Sequence, residues 1–452
     1  MKKKIFYFPI EIQSRELPSR VAIARHIVEE GGLVVIIDQR TLLAEINKLP
    51  PGVILHKDTA DCNAGITFRA SKPLGWINSA LDEEGLVYFS PQAYEKSRLG
   101  AECFKYLDLV FAWGEKQASV IRSSPKFVSE QHTLVVSGHP KFDVHRNVNS
   151  LEGNYILINT RFGSVNSGLD LDEDGYIQRM RLVDEVKDEQ DEIFRRMYFH
   201  FMKVLFNYFV ELIEKLAKNY PNQRIRVRAH PAESDKIYRE LASKYLNIEV
   251  SEDTSLEADL SGAKVIIHNG CTTGIEGLAM GVPVLIYEPV PTPAGDLALP
   301  NQFGCVAKDF TSLDKAIREC LTGNYDWGHA LSGAEGHIKN FDSGSAAKEL
   351  SYSLLEYGFE SSYEFFDSWK PRVYSAFKLL ALRLPSFLVF GILKVKLEKL
   401  RYINRKNPDR SALWLKCRFD AISTSICNAS QTSISVKKLG AKTFLIKKGR
   451  YY

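Results

Sequence analysis

The feature that most constrains this chain is a succession of short, unbroken apolar runs separated by segments with helical spacing. Runs at 5–8, 33–37, 52–55, 86–89 and 108–112 are too short for buried helices and too uniformly apolar for half-exposed strands. A last run at 133–136 ends at Ser137-Gly138-His139-Pro140. Helices fit between them at 18–30, 41–48 and 115–122. The first of these carries Val21, Ala24, Ile27 and Val28 on one face and stops at Gly31-Gly32. Strands buried on both faces and alternating with helices predict a parallel sheet with helices on both sides. The pattern then repeats, with strands at 155–158, 225–228, 248–250, 265–267 and 284–287 and helices at 186–219, 235–245, 272–280, 312–322 and 345–356. The expectation is an α/β chain of two Rossmann-like domains, 1–150 and 151–360, with an interdomain cleft, followed by a basic, partly helical extension over 361–452.

Charge is distributed unevenly. Residues 363–452 hold 19 Lys and Arg against 5 Asp and Glu, whereas the remainder holds 40 against 50. A basic tail on an acidic body points to an anionic surface. Within that tail Phe377, Leu379, Leu380, Phe387, Leu388 and Phe390 alternate with Lys378, Arg383, Lys394 and Lys396, and Pro385 would kink any helix. The stretch reads either as a helical layer with a solvated basic face or as a peripheral anchor on acidic lipid. Seven scattered cysteines without a CxxC pair argue for a reducing compartment and against a disulfide framework or structural zinc. The apolar run after Lys2-Lys3-Lys4 is too short for a signal peptide, and no run reaches the ~18 residues of a membrane span. The expected location is cytoplasmic, on the inner face of the cytoplasmic membrane.

Four constellations carry chemistry. In His268-Asn269-Gly270-Cys271-Thr272-Thr273-Gly274-Ile275-Glu276 a strand ends in a polar turn and a helix starts. Free backbone amides, two hydroxyls and the positive dipole end suit a phosphate. Gly270 and Gly274 would allow close backbone approach, and Glu276 would hold a sugar or ribose hydroxyl. The plain alternative is N-capping by threonine. In Arg226-Val227-Arg228-Ala229-His230-Pro231 a strand brings cations and a histidine to its C-terminal end, where open α/β sheets bind ligands. Period-two geometry puts Arg226, Arg228 and His230 on one face. Asp82-Glu83-Glu84-Gly85 offers three adjacent carboxylates whose mutual repulsion would raise one pKa, giving an acid, a base or a nucleophile. The alternative is an acidic surface turn, and Asp170 to Gly175 is a second such run. Asn159, Arg161 and Asn166 follow the first strand of the second domain, and Glu16 and Arg20 follow that of the first. These five are candidate acceptor or sugar contacts, although Glu11 to Arg20 could simply cap the first helix. Neither GxGxxG, a Walker lysine nor HExxH is present, so no dinucleotide cofactor or metal is expected.

As an ordered series these motifs resemble the bacterial surface carbohydrate biosynthesis proteins. The series runs from Arg15-Glu16-Leu17 through Asp82 to Gly85, Phe111-Ala112-Trp113-Gly114, Gly138-His139-Pro140-Lys141-Phe142-Asp143, Ile156 to Asn159 and Arg228 to Pro231 to His268 to Gly277, over roughly residues 1–358. More distantly the chain is similar to two-Rossmann (GT-B) transferases of CMP-activated acidic sugars, the sialyltransferases and Kdo transferases. That resemblance implies a glycosyltransferase of surface polysaccharide synthesis. Asp82 to Gly85 would be catalytic, His230 and Pro231 would hold CMP, and Thr272 and Thr273 its phosphate. This chain departs in having Thr-Thr where paired serines are common. The donor would be a nucleotide sugar, and the acceptor a glycan or lipid-linked sugar at the inner membrane surface. Nucleic acid is not an expected partner. Comparable similarity to CDP-glycerol phosphotransferases and UDP-sugar 2-epimerases in the second domain leaves those chemistries open, as well as a non-catalytic polysaccharide-assembly module.

Overall fold

A computed structural model describes residues 2–61, 64–85, 90–146, 154–182, 186–252, 256–291, 300–334, 336–369, 407–426 and 433–449. The chain forms two compact units. One comprises Met1–Gly85, Pro91–Asn147 and Gly336–Tyr452, and the other Leu86–Ser90 and Val148–Glu335.

The first unit is built on a nine-stranded sheet. Its strands are β1 (Lys2–Ile10), β2 (Leu33–Asp38), β3 (Val53–His56), β4 (Ile77–Leu81), β5 (Leu109–Ala112) and β6 (Thr133–Val136), with β13 (Glu360–Ser362), β14 (Ile434–Gly440) and β15 (Thr443–Lys448) from the C-terminal region. The order β2-β1-β3-β4-β5-β6 is parallel throughout. Residues 5–10 are all buried, as expected of a central strand covered on both faces. The second unit has a six-stranded sheet of β7 (Tyr155–Asn159), β8 (Arg224–Arg228), β9 (Ile248–Val250), β10 (Ala263–His268), β11 (Val284–Tyr287) and β12 (Cys305–Ala307). Its order, β9-β8-β7-β10-β11-β12, is parallel and is that of a doubly wound Rossmann sheet. The helix Glu189–Asn219 packs its apolar stripe of Phe199, Met202, Leu205, Phe209, Leu212 and Leu216 inward.

Three expectations are corrected. Residues 336–358, read as part of the second domain, belong to the first unit, where the helix Ala346–Tyr357 packs on the helix Gln13–Glu29. Asp143 accepts from the amides of Ala346 and, at 2.7 Å, Ala347, so a buried carboxylate caps that helix. Nor is the C-terminal region simply a helical extension. β14 and β15 form a hairpin that adds antiparallel to the β2 edge. Lys437 and Lys438 on its outer strand pair with Asp367 and Asp409, so part of the tail's basic charge solvates and blunts a sheet edge. The apolar-basic stretch at 377–396 lies outside the described residues. Finally, the first helix begins at Gln13, with Pro18 inside it. The Glu16 carboxylate accepts from the amides of Glu11 (2.9 Å) and Ile12 (3.0 Å) and fixes the start ahead of the proline. Among the described residues no helix is long and apolar enough to cross a membrane.

Candidate functional site

In each sheet the chain reverses its direction of strand addition beside the first strand. At such a point the loops diverge and leave a crevice at the carboxyl ends. In the second unit the reversal falls between β7 and β10. Arg161, just past β7, donates to the carbonyl of Asn269, just past β10, at 3.2 Å, and to the Tyr198 hydroxyl at 3.1 Å. The Asn269 side chain is 4% exposed, and neither its Nδ2 nor its Oδ1 has a partner among the described residues. A buried amide left unpaired costs roughly 1–3 kcal/mol, which a bound ligand can recover.

The helix Thr272–Ala279 starts immediately afterwards. Its N-cap is Cys271, whose side chain makes no capping hydrogen bond. The threonine-capping alternative is thereby excluded: Thr273 Oγ1 lies 3.1 Å from the Cys271 sulfur instead. Gly270, with φ of +101°, makes the turn that only glycine adopts easily. His268 is wholly buried and its Nδ1 accepts from the amides of Gly270 (2.9 Å) and Cys271 (3.2 Å). Burial and the nearby Arg161 guanidinium lower its pKa to about 3, so it stays neutral with the proton on Nε2. Gly274 has a role other than the expected one. A Cβ there would lie 2.2 Å from His268 Nε2, so the absence of a side chain admits the imidazole rather than a ligand. Glu276 is buried within the same helix.

The Arg-x-Arg-x-His-Pro segment divides by function. Arg226 and Arg228 do share a face, but both engage the fully buried Asp259, and Arg226 also pairs with Glu249 at 2.5 Å. The Arg228 cation assigned to phosphate is thus committed to a carboxylate on which sequence spacing gave no information. Arg161 stands at the crevice instead. The strand ends at Arg228, and His230 lies in the following turn, where its Nδ1 accepts from the Ala232 amide at 3.2 Å. Enclosure by neighbouring groups and the charge of Arg161 lower the His230 pKa, although its edge meets solvent. Glu233, also missed, organises this turn. It accepts from Phe162 N (2.7 Å), Thr160 Oγ1 (3.0 Å), Tyr238 Oη (2.8 Å) and His230 N (3.2 Å). Asn159 is buried at the end of β7, and Asn166 ties its loop to the Ser234 carbonyl at 2.8 Å. Asn166 therefore serves the loop scaffold.

In the first unit the acidic run follows β4 directly, at its carboxyl end. The apolar pattern predicts a strand after it, at 86–89, a segment outside the described residues, and hides β4, where Asn78 and Ser79 interrupt the apolar run. Each of the three carboxylates meets a cation, Arg98 being shared by Asp82 and Glu84. Asp82 is held by Arg98 and the Tyr94 hydroxyl. Glu83 is buried with His139 Nε2 at 3.0 Å and Arg20 at 3.3 Å. Glu84 is exposed between Arg15 (2.5 Å) and Arg98 (3.4 Å). Burial works to raise the Glu83 pKa, but His139 and Arg20 outweigh it and hold it at about 2. Against the same burial effect, Arg15 and Arg98 hold Glu84 below the usual range. The expected raised pKa lies elsewhere. Burial, and then the Glu83 charge, push Glu16 up to about 7. Glu16 and Arg20 are both 0% exposed, so neither is presented to an acceptor as expected. Glu16 anchors the helix start and Arg20 neutralises Glu83.

No family model matches the sequence, and no curated protein matches it. Several solved structures are similar to it. UDP-GlcNAc 2-epimerase from Methanocaldococcus jannaschii, in complex with UDP-GlcNAc and UDP, aligns over 78% of this chain and 99% of its own, at 15% identity and a TM-score of 0.46. The Neisseria meningitidis UDP-GlcNAc 2-epimerase bound to UDP-GlcNAc aligns over 78% and 100%, at 14% identity and 0.43. The wall teichoic acid polymerase TagF aligns over 78% and 89%, at 8% identity and 0.43.

Proposed function

We propose that this chain is a nucleotide-sugar-dependent glycosyltransferase of surface polysaccharide synthesis, with the donor's phosphate held at the β7/β10 crevice of the second unit. The observation that carries the reading is the conjunction there of Arg161, the unpaired buried amide of Asn269 and a helix start at Thr272 whose N-cap side chain makes no capping bond. A guanidinium and backbone amides offer charge-assisted hydrogen bonds to a phosphate and stabilise the charge that develops on it as the sugar departs. Thr272 and Thr273 sit at the first two helical positions, and His230 and Pro231 border the nucleotide. The donor is a CMP-linked acidic sugar in this reading.

The first unit takes the acceptor, a glycan or lipid-linked sugar. Of the acidic run, Glu84 is the accessible member, and its two arginines keep it ionised. It suits a base that accepts the proton of an acceptor hydroxyl, or a nucleophile, and not an acid.

Calorimetry and thermal shift with CMP, CDP, UMP, UDP and GDP test the reading, on the wild type and on Arg161→Ala, Asn269→Ala and His230→Ala. A nucleotide at ~100 times its dissociation constant adds about 2.7 kcal/mol of stability. CMP-selective stabilisation lost in Arg161→Ala is the expected result. Selectivity for UDP or CDP removes the CMP donor, and turnover of a UDP-sugar without acceptor makes the chain an epimerase. Absence of binding to every nucleotide overturns the reading in favour of an assembly module.

A further inference from the structure

A separate cavity of about 170 Å³ lies wholly within the first unit, between the start of the helix Gln13–Glu29 and the helix Ala412–Ile426. Its charged lining is Arg410 and Arg418, and its walls include Gln13, Trp414, Leu17 and Ile422. No carboxylate lines it among the described residues. Arg410 is fixed in place: its Nε donates to Gln13 Oε1 at 3.3 Å, and its guanidinium lies 4.8 Å from the centre of the Trp414 ring. Gln13 is itself held by the Pro408 carbonyl at 3.4 Å. Arg418 has no ion pair among the described residues. Asp409, beside Arg410 in sequence, is held by Lys438 Nζ at 2.8 Å and the Lys442 amide at 2.9 Å, and Asp420, two residues after Arg418, pairs with Lys416 at 3.2 Å. Nor is the adjoining sequence a ready source of anions, since residues 370–406 hold ten Lys and Arg and one acid, Glu398.

We propose that this cavity binds the phosphate or diphosphate group of an anionic ligand. Two guanidiniums in a lining that holds no carboxylate favour a doubly charged oxyanion, which they can grip through several hydrogen bonds. The volume is below the ~300 Å³ of pockets for drug-sized ligands, so a small anionic headgroup fits better than a whole nucleotide. The Trp414 ring and the apolar floor of Leu17 and Ile422 give the carbon skeleton joined to that phosphate a surface to lie on. The assignment is independent of the nucleotide reading, because the residues belong to the other unit and the probes below carry no nucleoside.

The test is titration of the full chain by calorimetry with inorganic pyrophosphate and geranyl diphosphate, and flotation with phosphatidylglycerol vesicles against phosphatidylcholine vesicles. Wild type is compared with Arg410→Ala/Arg418→Ala and with Trp414→Ala, each checked for folding by its thermal transition. The expected result is saturable one-to-one binding of both diphosphates, weakened about tenfold or more by the double substitution. Trp414→Ala is expected to weaken geranyl diphosphate more than pyrophosphate. Binding confined to phosphatidylglycerol vesicles and lost in the double variant assigns the phosphate to a lipid headgroup. No binding by any probe, or equal binding by wild type and a folded double variant, overturns the proposal.

Discussion

Replacing Glu83 by glutamine tests the electrostatic core of the first unit. The carboxylate is buried with Arg20 and His139, both 0% exposed, and its pKa of about 2 lies below the ordinary 4.5. A depressed carboxylate stabilises the fold above its unfolded pKa, and that stability is lost as pH falls through the folded pKa. A gap of about 2.5 pKa units corresponds to about 3 kcal/mol at neutral pH, at 1.36 kcal/mol per unit. Removing one partner of a buried pair costs about 3–5 kcal/mol, so both routes give a similar magnitude. The variant should therefore unfold about 3 kcal/mol more easily at pH 6 in urea. Because the wild-type carboxylate protonates in the window between pH ~4.5 and ~2, about 2 kcal/mol of the difference should be gone by pH 3. Burial keeps the His139 pKa below its usual value despite Glu83 at 3.0 Å, and without His139 the carboxylate still keeps Arg20 at 3.3 Å. His139→Gln should accordingly cost less than Glu83→Gln. A variant within 0.5 kcal/mol of wild type at pH 6, or a gap that does not narrow towards pH 3, would refute the reasoning.

Three further outcomes follow from the same kind of reading. Gly274→Ala drives a methyl to within 2.2 Å of a wholly buried imidazole and should cost the second unit roughly 1–3 kcal/mol, measured by chemical denaturation; an unchanged midpoint would return Gly274 to a ligand role. Asp259→Asn removes the buried carboxylate shared by Arg226 and Arg228, while Arg226 keeps Glu249, and should destabilise the second unit by roughly 1–3 kcal/mol in chemical denaturation; an unchanged transition would show that Asp259 is not what holds Arg228. Glu16→Gln removes a carboxylate whose folded pKa, about 7, is raised above its unfolded value. That group stabilises less as pH rises from about 4.5 towards 7, so the stability of the variant relative to wild type should improve over that interval, and a flat difference would show that Glu16 is not buried as described.

Most of the secondary structure was legible in the chain because strands covered on both faces must be apolar throughout, and such runs are visible without partners. The run at 284–287 is a fully buried strand at those bounds, and those at 133–136 and 248–250 are half-buried strands at the sheet ends. β4 was missed for the converse reason. Asn78 and Ser79 are buried polar residues satisfied from distant segments, Ser79 by the Ile54 carbonyl and Asn78 by Ser71 and the Tyr106 carbonyl. The C-terminal hairpin was illegible because its apolar face has meaning only against the edge of β2.

The candidate site divides in the same way. Sequence alone determined that ligand-competent residue types cluster where strands end and helices begin, since a parallel sheet sends its loops to one edge. It could not determine which of several like charges is committed internally. Arg228 and Arg161 are the same chemical group, one the last residue of its strand and the other two residues past the end of its own. Only the fold, by burying Asp259 under Arg228 and setting Arg161 beside Asn269, decides which one serves structure and which faces the crevice. The same holds for Asp82, Glu83 and Glu84, adjacent in sequence. The twist of the chain past β4 buries two against cations and leaves the third in water, because a carboxylate enters the interior only where a cation waits for it.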